Sequence, residues 1–259
     1  MSSDWDPAQY ERFAAERAQP FWDLAALIER RPIRQAVDLG CGTGELTAAL
    51  AAQLGVESIV GVDSSPAMLA SAPDGLAVVE GDIGTWTSDG DHDLVFANAS
   101  LQWVPDHPAV LARWWAALAP GGQLAVQVPS NADHASHRVA VEVASTEPFL
   151  SEMGASPPPD PVAGNVLRPE DYAGVLYQLG AARQHVRVQV YGHVLDRSAD
   201  VVEWVKGTSL TRFAKVLPGD LYARFIDEYR CRLLAEIGDT APYFYPFKRV
   251  LMWATRIGG

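Results

Sequence analysis

Along the first half of the chain, short runs of apolar residues alternate with segments whose apolar positions recur every three or four residues. Ala36-Val37-Asp38-Leu39, Ser58-Ile59-Val60-Gly61-Val62-Asp63, Leu76 to Val79, Asp93 to Ala97 and Gln123 to Val128 are such runs. Short, nearly all apolar and bounded by glycine, proline or acid, they predict strands buried on both faces. Between them, Glu45 to Leu54 and His107 to Ala119 read as helices, the second closed by Pro120-Gly121-Gly122. Ser65-Pro66 opens another, with serine as cap and proline at the first helical position. The alternation predicts an α/β fold: a doubly wound, mostly parallel, Rossmann-like sheet whose ligand sits at the carboxyl ends of the strands.

The flanks are less regular. Residues 4–30 read as helical, with Tyr10, Phe13 and Ala14 on one face and Phe21, Leu24, Ala25 and Ile28 on another, and Pro20 is expected to split the segment. Residues 1–32 are expected to form a helical lid ahead of a domain over 33–259. Beyond residue 130, residues 133–147 look helical and Ser156 to Pro161 forms an extended loop. Pro169 to Gly180 is a glycine-capped helix and His185 to Val194 a strand. Residues 199–237 are mostly helical, within a helical insertion expected at about 198–240. Arg249 to Ile257 is expected to be an antiparallel edge strand.

Composition narrows the function. Of 259 residues, 48% are hydrophobic and 20% charged, enough to bury a sizeable core. Lys+Arg is 20 and Asp+Glu is 32, a net charge of −12 that would repel a phosphate backbone while leaving room for a local basic pocket. Cys41 and Cys231 make no CxxC pair, which fits a reducing compartment and argues against a zinc finger. Cys41 reads as a small filler in a tight turn and Cys231 as packed within a helix. Met1 to Asp6 lacks a basic-then-apolar leader, and no apolar stretch reaches the roughly 18 residues that suggest a membrane span. A soluble, cytoplasmic monomer with a small-molecule partner is the expectation, with neither nucleic acid nor membrane.

The sharpest signal is Gly40-Cys41-Gly42-Thr43-Gly44, between a strand and a helix. Glycine permits positive φ and close approach of backbone to a ligand, and the helix beyond offers free N–H groups. Asp63, about 20 residues on at the end of the next strand, can accept both hydroxyls of a ribose. The dinucleotide spacing G-x-G-x-x-G fails, since Glu45 and Thr47 stand where a glycine is needed. A nucleoside without pyrophosphate is implied, and S-adenosylmethionine fits. Asp82 lies where an adenine amino group would be, or is a solvated turn acid. Met68 packs on adenine or in the core. Arg17 is a candidate for the carboxylate of the methionine tail. Asp38, Ser64, Ile83 and Asn98 flank these positions and complete the expected cofactor set with Gly40, Gly42 and Gly44.

Val37-Asp38-Leu39-Gly40-Cys41-Gly42-Thr43-Gly44 resembles the first motif of class I S-adenosylmethionine-dependent methyltransferases. Within that family, several segments are similar to the branch that methylates trans-aconitate. They are Asp4-Trp5-Asp6-Pro7 with Tyr10 and Phe13, Glu16-Arg17 with Pro20, Gly61 to Met68, Phe96 to Trp103, and Pro105-Asp106-His107. Trp204-Val205 and Phe247 with Arg249 look similar too, but the likeness is dense only over residues 4–130. It implies methyl transfer to one carboxylate of trans-aconitate, giving a monomethyl ester.

Such an acceptor is ionised at neutral pH, its carboxyl having a pKa near about 4, so no general base is required and none is assigned. Arg212 and Arg249 are candidate carboxylate forks. Gln102 and Trp103 follow the fourth strand, where the methyl group would sit, Trp103 being otherwise a core aromatic. Tyr10 and Trp22 are candidate lid residues over the acceptor. Tyr243 to Phe247 walls a pocket or simply packs. His134 and His137 sit i, i+3 with Glu142 beyond, but no further metal ligand is evident and no metal is expected. Two other functions stay open: transfer to another carboxylic acid or a quinone precursor, and a non-catalytic S-adenosylmethionine-binding module.

Overall fold

The computed structural model describes residues 14–258, with side chains from residue 18. The described elements are α1 (Ala14–Ala25), β1 (Gln35–Leu39), α2 (Glu45–Leu54), β2 (Ser58–Asp63), α3 (Pro66–Leu69), β3 (Ala77–Glu80), β4 (His92–Asn98), α4 (His107–Ala116) and β5 (Leu118–Pro129). They continue with α5 (Ala135–Ala144), α6 (Phe149–Glu152), α7 (Pro161–Asn165), α8 (Pro169–Gln178), β6 (Ala181–Leu195), α9 (Asp200–Lys206), α10 (Thr211–Ala214), α11 (Gly219–Ile237) and β7 (Tyr243–Arg256). The chain divides into two compact units. The first comprises Ala15–Pro129, Asn165–Gln189 and Lys248 onward; the second contains Ser130–Gly164 and Val190–Phe247.

The first unit carries the expected doubly wound sheet. Strand order is β3-β2-β1-β4-β5-β7-β6, with β1 paired in parallel to both β2 and β4. The chain runs outward from β1 through β2 to β3, then crosses back to β4 on the other side of β1. That reversal opens a crevice at the carboxyl ends of β1 and β4, where such sheets bind ligands. Alternate residues face opposite sides. Val37, Leu39, Val95, Ala97, Val126 and Met252 pack with Trp114 and Tyr172 on one side. Ala36, Phe96, Ala125, Leu251 and Trp253 pack with Phe21, Leu24 and Ile28 on the other.

Three expectations are corrected. Pro20 does not split its segment: it lies inside α1. Losing one backbone hydrogen bond is offset by burying Phe21, Leu24, Ala25 and Ile28 against the sheet. The helix from His107 ends at Ala116, and Leu118 to Gly122 belong to β5, with a register shift opposite His92 and Leu94. Leu118 pairs with His92 and draws the Pro-Gly-Gly into an irregular strand start. Finally, β7 is not an edge. It is paired with β5 from Gln123↔Thr255 to Pro129↔Arg249, and β6 lies outside it. The reason is burial: Val250 to Ala254 are buried, whereas β6 exposes Arg183, Gln184 and His185 and suits a solvated edge.

The second unit is mostly helical. Val139 and Val143 of α5, Trp204 of α9, Phe213 of α10, Phe225 and Tyr229 of α11, and Tyr245 form its core. Tyr245 and Phe247 therefore pack as core aromatics, while Phe244 is exposed. Cys231 is exposed on α11 rather than packed.

One buried polar side chain fastens the segment after α1 to the sheet. Gln123, fully buried, accepts from the Glu29 N–H at 2.8 Å and from Trp253 Nε1 at 3.0 Å, and donates to the Glu29 carbonyl at 3.2 Å. Gln123→Leu keeps the volume but strands three polar groups, so it should cost about 2–4 kcal/mol. Urea denaturation would measure this, and an unchanged midpoint would contradict the assignment.

Candidate active site

The glycine bend is built by its neighbours. Gly40, Gly42 and Gly44 all have positive φ, 84°, 59° and 75°. A Cβ on Gly40 would overlap Ser100, and one on Gly44 would overlap Leu76. A Cβ on Gly42 would meet nothing within 4 Å. Gly40 and Gly44 are thus glycines because protein atoms crowd them. Gly42 is one for its backbone angle, and its outer side is open to a ligand.

Hydrogen bonds hold the bend in place. The Gly40 and Cys41 N–H groups donate to the Val62 carbonyl at 2.7 and 3.1 Å. Ser100 Oγ donates to the Leu39 carbonyl at 2.6 Å. Asp63 accepts from the Gly42 N–H and the Ser65 N–H, both at 2.9 Å. Its lone pairs are not exhausted, since an ionised carboxylate accepts about four bonds. Cys41 sits against Gly61, and burial with Asp38 and Asp63 nearby pushes its thiol up to about 12. It is the inert filler expected of it.

Asp38 is buried and accepts from Thr47 Oγ1 at 2.5 Å. Burial pushes its carboxyl from 3.8 up to about 7; Asp63 adds to the rise and Thr47 opposes it. By strand alternation Asp38 shares the Ala36 face, and Asn98, Gln127 and Arg249 lie on that same face of β4, β5 and β7. An acid, two amides and a guanidinium thus line the ends of four adjacent strands, β1-β4-β5-β7. The pairing sets Asp38 level with Trp253, so Arg249 lies three strand spacings of about 4.8 Å across and four residues further along, roughly 20 Å from Asp38. Arg249 is buried, and its Nη1 donates to Gln127 Oε1 at 3.3 Å.

Two buried acceptors near the end of β4 have no hydrogen-bond partner, Asn98 Oδ1 and Gln102 Oε1. Ala99 between them holds a positive φ of 54°, a rare angle for alanine. Gln102 is fixed by two hydrogen bonds of its own and by one on its neighbour Leu101. Its Nε2 donates to the Ala99 carbonyl at 2.7 Å, and its own carbonyl accepts from Asn165 Nδ2 at 3.0 Å. His107 Nε2 donates to the Leu101 carbonyl at 2.9 Å, so Nδ1 accepts from the Tyr172 hydroxyl at 2.6 Å. Burial holds the His107 pKa down, in keeping with a neutral ring.

The other expected residues divide clearly. Ser64 is exposed, and Met68 is half-buried on α3, where its N–H is capped by Ser65 Oγ at 3.4 Å. Asp82 is exposed and accepts from the Gly84 N–H at 2.8 Å. Ile83 is buried, its carbonyl accepting from Trp114 Nε1 at 3.0 Å. Trp103 is 56% exposed and so is no core aromatic. Trp22 is half-buried beside Phe21. Tyr10 lies outside the described residues, as does the side chain of Arg17. In the second unit, Arg212 pairs with Asp160 at 2.8 Å and His137 bonds the same carboxylate at 2.9 Å. Arg138 pairs with Glu142. Among the described residues no group of three His, Cys, Asp or Glu is placed to hold a metal, and no helix is long and apolar enough to cross a membrane.

Sequence reasoning missed Ser100, Thr47, His107, Gln127 and Asn165. Ser100 and His107 fall inside the segments that carried the family likeness; Gln127 and Asn165 act on distant parts of the chain and have no local signal, while Thr47 reaches back nine residues to Asp38.

Comparisons with known proteins bear on the family and the fold. Residues 36–122 match the family model described as a methyltransferase domain. A trans-aconitate 2-methyltransferase of Deinococcus radiodurans is 46% identical over a 264-residue alignment, spanning 97% of this chain and 98% of its own. A trans-aconitate 2-methyltransferase of Variovorax paradoxus is 41% identical over 234 residues, 89% of each chain. Among solved structures, phosphoethanolamine N-methyltransferase 2 of Haemonchus contortus, in complex with S-adenosyl-L-methionine, aligns with a TM-score of 0.54. It is 16% identical and spans 92% of this chain and 52% of its own, a likeness of fold alone.

The raised Asp38 pKa has a measurable consequence. The folded chain keeps this proton up to about pH 7, whereas an unfolded aspartate releases it near 3.8. The folded state binds more protons in that window, so stability falls as pH rises through it, and the loss is complete above about pH 7. Asp38→Asn should gain on the native protein as pH climbs from 4 to 7, by about 2–4 kcal/mol. Urea melts across that range would show it; a pH-independent difference would contradict it.

Proposed function

The chain belongs to the trans-aconitate 2-methyltransferase family, and from that premise we propose that it transfers the methyl group of S-adenosylmethionine to one carboxylate of trans-aconitate. The observation that carries this reading is the polar line on one face of the sheet. An open glycine bend with two acids stands at one end of it, and a buried guanidinium at the other. The donor is a cation that carries a nucleoside, and the acceptor is an anion, so the line has the right sign at each end.

The residues present fit the donor. Gly42 leaves room for close approach of backbone, and Asp63 has lone pairs for two ribose hydroxyls. The orphaned acceptors Asn98 Oδ1 and Gln102 Oε1 suit donor groups of a cationic ligand. Asp38, held near neutrality by burial, becomes an anion when a positive charge arrives. Ser64, Met68, Asp82 and Ile83 border the nucleoside end, and Arg17 remains the candidate for the donor's own carboxylate. Bound S-adenosylmethionine supplies an electrophilic sulfonium methyl.

For the rest, the chain positions and shields. The acceptor carboxylate is already ionised at neutral pH, so the site needs no base to make a nucleophile. Arg249 anchors the acceptor by a charge-assisted fork. Gln102, locked through Ala99, Asn165 and the His107–Tyr172 pair, fixes the surface between donor and acceptor. Trp103 and Trp22 exclude water from it, and Tyr10, outside the described residues, remains a sequence candidate for the same task. Orientation of two such reactants is worth on the order of 7–11 kcal/mol.

The test is transfer of labelled methyl to trans-aconitate, cis-aconitate and citrate in parallel. Strong labelling of trans-aconitate alone is expected. In calorimetry, Asp63→Ala should abolish donor binding. In kinetics, Arg249→Ala should raise the acceptor KM by roughly 10- to 100-fold with donor affinity unchanged. Donor binding without transfer to any of the acids would overturn the assignment of the acceptor.

A further inference from the structure

The turn between β4 and α4 is held in a strained shape, and every residue that holds it lies in the sheet unit. Among the described residues three non-glycine residues have positive φ, and two of them flank this turn, Ala99 at 54° and Asp106 at 56°. Such angles persist only where the surrounding structure enforces them, and they gather at functional sites. The Ala99 N–H donates to the Gln127 carbonyl of β5 at 3.0 Å, and Ser100 Oγ donates to the Leu39 carbonyl of β1 at 2.6 Å. The turn is thereby tied to both neighbours of β4. One is the strand that ends in the glycine bend; the other lies beside β7, which carries Arg249. The turn stands between the two ends of the polar line.

Within the turn, Gln102 is only 4% exposed, and its amide can point one way only. Nε2 donates to the Ala99 carbonyl at 2.7 Å; turned over, the amide would set oxygen against oxygen. Oε1 is left on the other side, buried and with no hydrogen-bond partner among the described residues. A buried acceptor left bare is costly, so it marks a place for a partner. The backbone behind it is locked by a closed circuit. The Gln102 carbonyl accepts from Asn165 Nδ2 at 3.0 Å, and two residues on the Leu167 N–H donates to the Tyr172 hydroxyl at 3.2 Å. That hydroxyl donates to His107 Nδ1 at 2.6 Å, and His107 Nε2 returns to the Leu101 carbonyl at 2.9 Å. The directions are forced: a carbonyl only accepts, so Nε2 carries the ring proton and Nδ1 accepts. The circuit closes with a neutral ring, and burial, which holds the His107 pKa down, keeps it neutral.

We infer that Gln102 is a specificity residue for the charged sulfur of the methyl donor, its Oε1 being the partner of the sulfonium centre, and that His107 and Tyr172 are positioning residues that hold it there. This rests on the donor and the methyl transfer proposed above. A carbonyl oxygen that accepts no N–H is the bare negative end of a dipole. It suits a positive centre and the polarised C–H bonds of a methyl group on it. The demethylated product, S-adenosylhomocysteine, keeps the nucleoside, the ammonium and the carboxylate, but its sulfur is neutral and carries no methyl. Oε1 therefore favours the donor over the product, which eases product release after transfer. Gln102 itself makes and breaks no bond.

The test is calorimetric binding of S-adenosylmethionine and of S-adenosylhomocysteine to the full-length protein. Gln102→Met keeps the length of the side chain and removes the oxygen. It should weaken S-adenosylmethionine by roughly 5- to 50-fold and S-adenosylhomocysteine by less than about twofold. Gln102→Asn keeps the amide but draws it back by one carbon; it should show the same split, and it carries the test if the methionine variant does not fold. Tyr172→Phe opens the circuit. It should weaken S-adenosylmethionine alone by roughly threefold or more, and have no further effect in a Gln102→Met background, because Tyr172 acts through Gln102. Equal weakening of both compounds by Gln102→Met would place Oε1 against a group they share, such as the ammonium, and would overturn the inference. So would no weakening of either, or a Tyr172→Phe effect that persists without the Gln102 oxygen. Native protein that binds neither compound would instead overturn the donor assignment on which the inference rests.

Discussion

The two hydrogen bonds that Asp63 accepts, from Gly42 and from Ser65, tie the glycine bend after β1 to the end of β2. One comes from the glycine bend after β1, the other from the turn that starts α3. Ser100, at the end of β4, closes the same corner from the other side by bonding the Leu39 carbonyl and filling the space a side chain on Gly40 would need. Three chain segments are thereby locked around one opening. A bend with three left-handed residues is costly to order. Hydrogen bonds within the chain that hold such a bend leave less ordering to be done on binding.

From that corner the sheet distributes charge in a line. Period-two alternation sends Asp38, Asn98, Gln127 and Arg249 to one face, and strand order makes their strands neighbours. The acids stand where a cation would bind and the guanidinium where an anion would. The opposite face is sealed by Trp114, Leu111 and Tyr172, so the sheet is dry behind its polar face. A methyl transfer between a sulfonium and a carboxylate asks for this and little else, since nucleophile and electrophile both arrive charged.

Much of this is visible in the sequence because it is local. The strand after which the glycines fall, the acid about 20 residues later, and the serine–proline helix start each sit within a short window, and the structure has them in place. What escaped is non-local or depends on burial. Pro20 breaks a helix only if nothing else holds it, and the Phe21–Leu24–Ile28 face does. Arg249 to Ile257 reads as an edge because the last strand of a mixed sheet is often there. Its uninterrupted burial and the charges on β6 carry the opposite message. Trp103 is exposed although tryptophan favours the core. The pairing of Arg212 with Asp160 and His137 brings together three residues that no spacing rule connects.

The central claim is that the Gly42 face and Asp63 together grip the adenosyl group, and a crystal structure with S-adenosylhomocysteine tests it most directly. The account predicts ribose hydroxyls within hydrogen-bond distance of the Asp63 carboxylate and ligand atoms packed on the open side of Gly42. A ligand bound elsewhere, with the Gly42 face in contact with solvent alone, would contradict it.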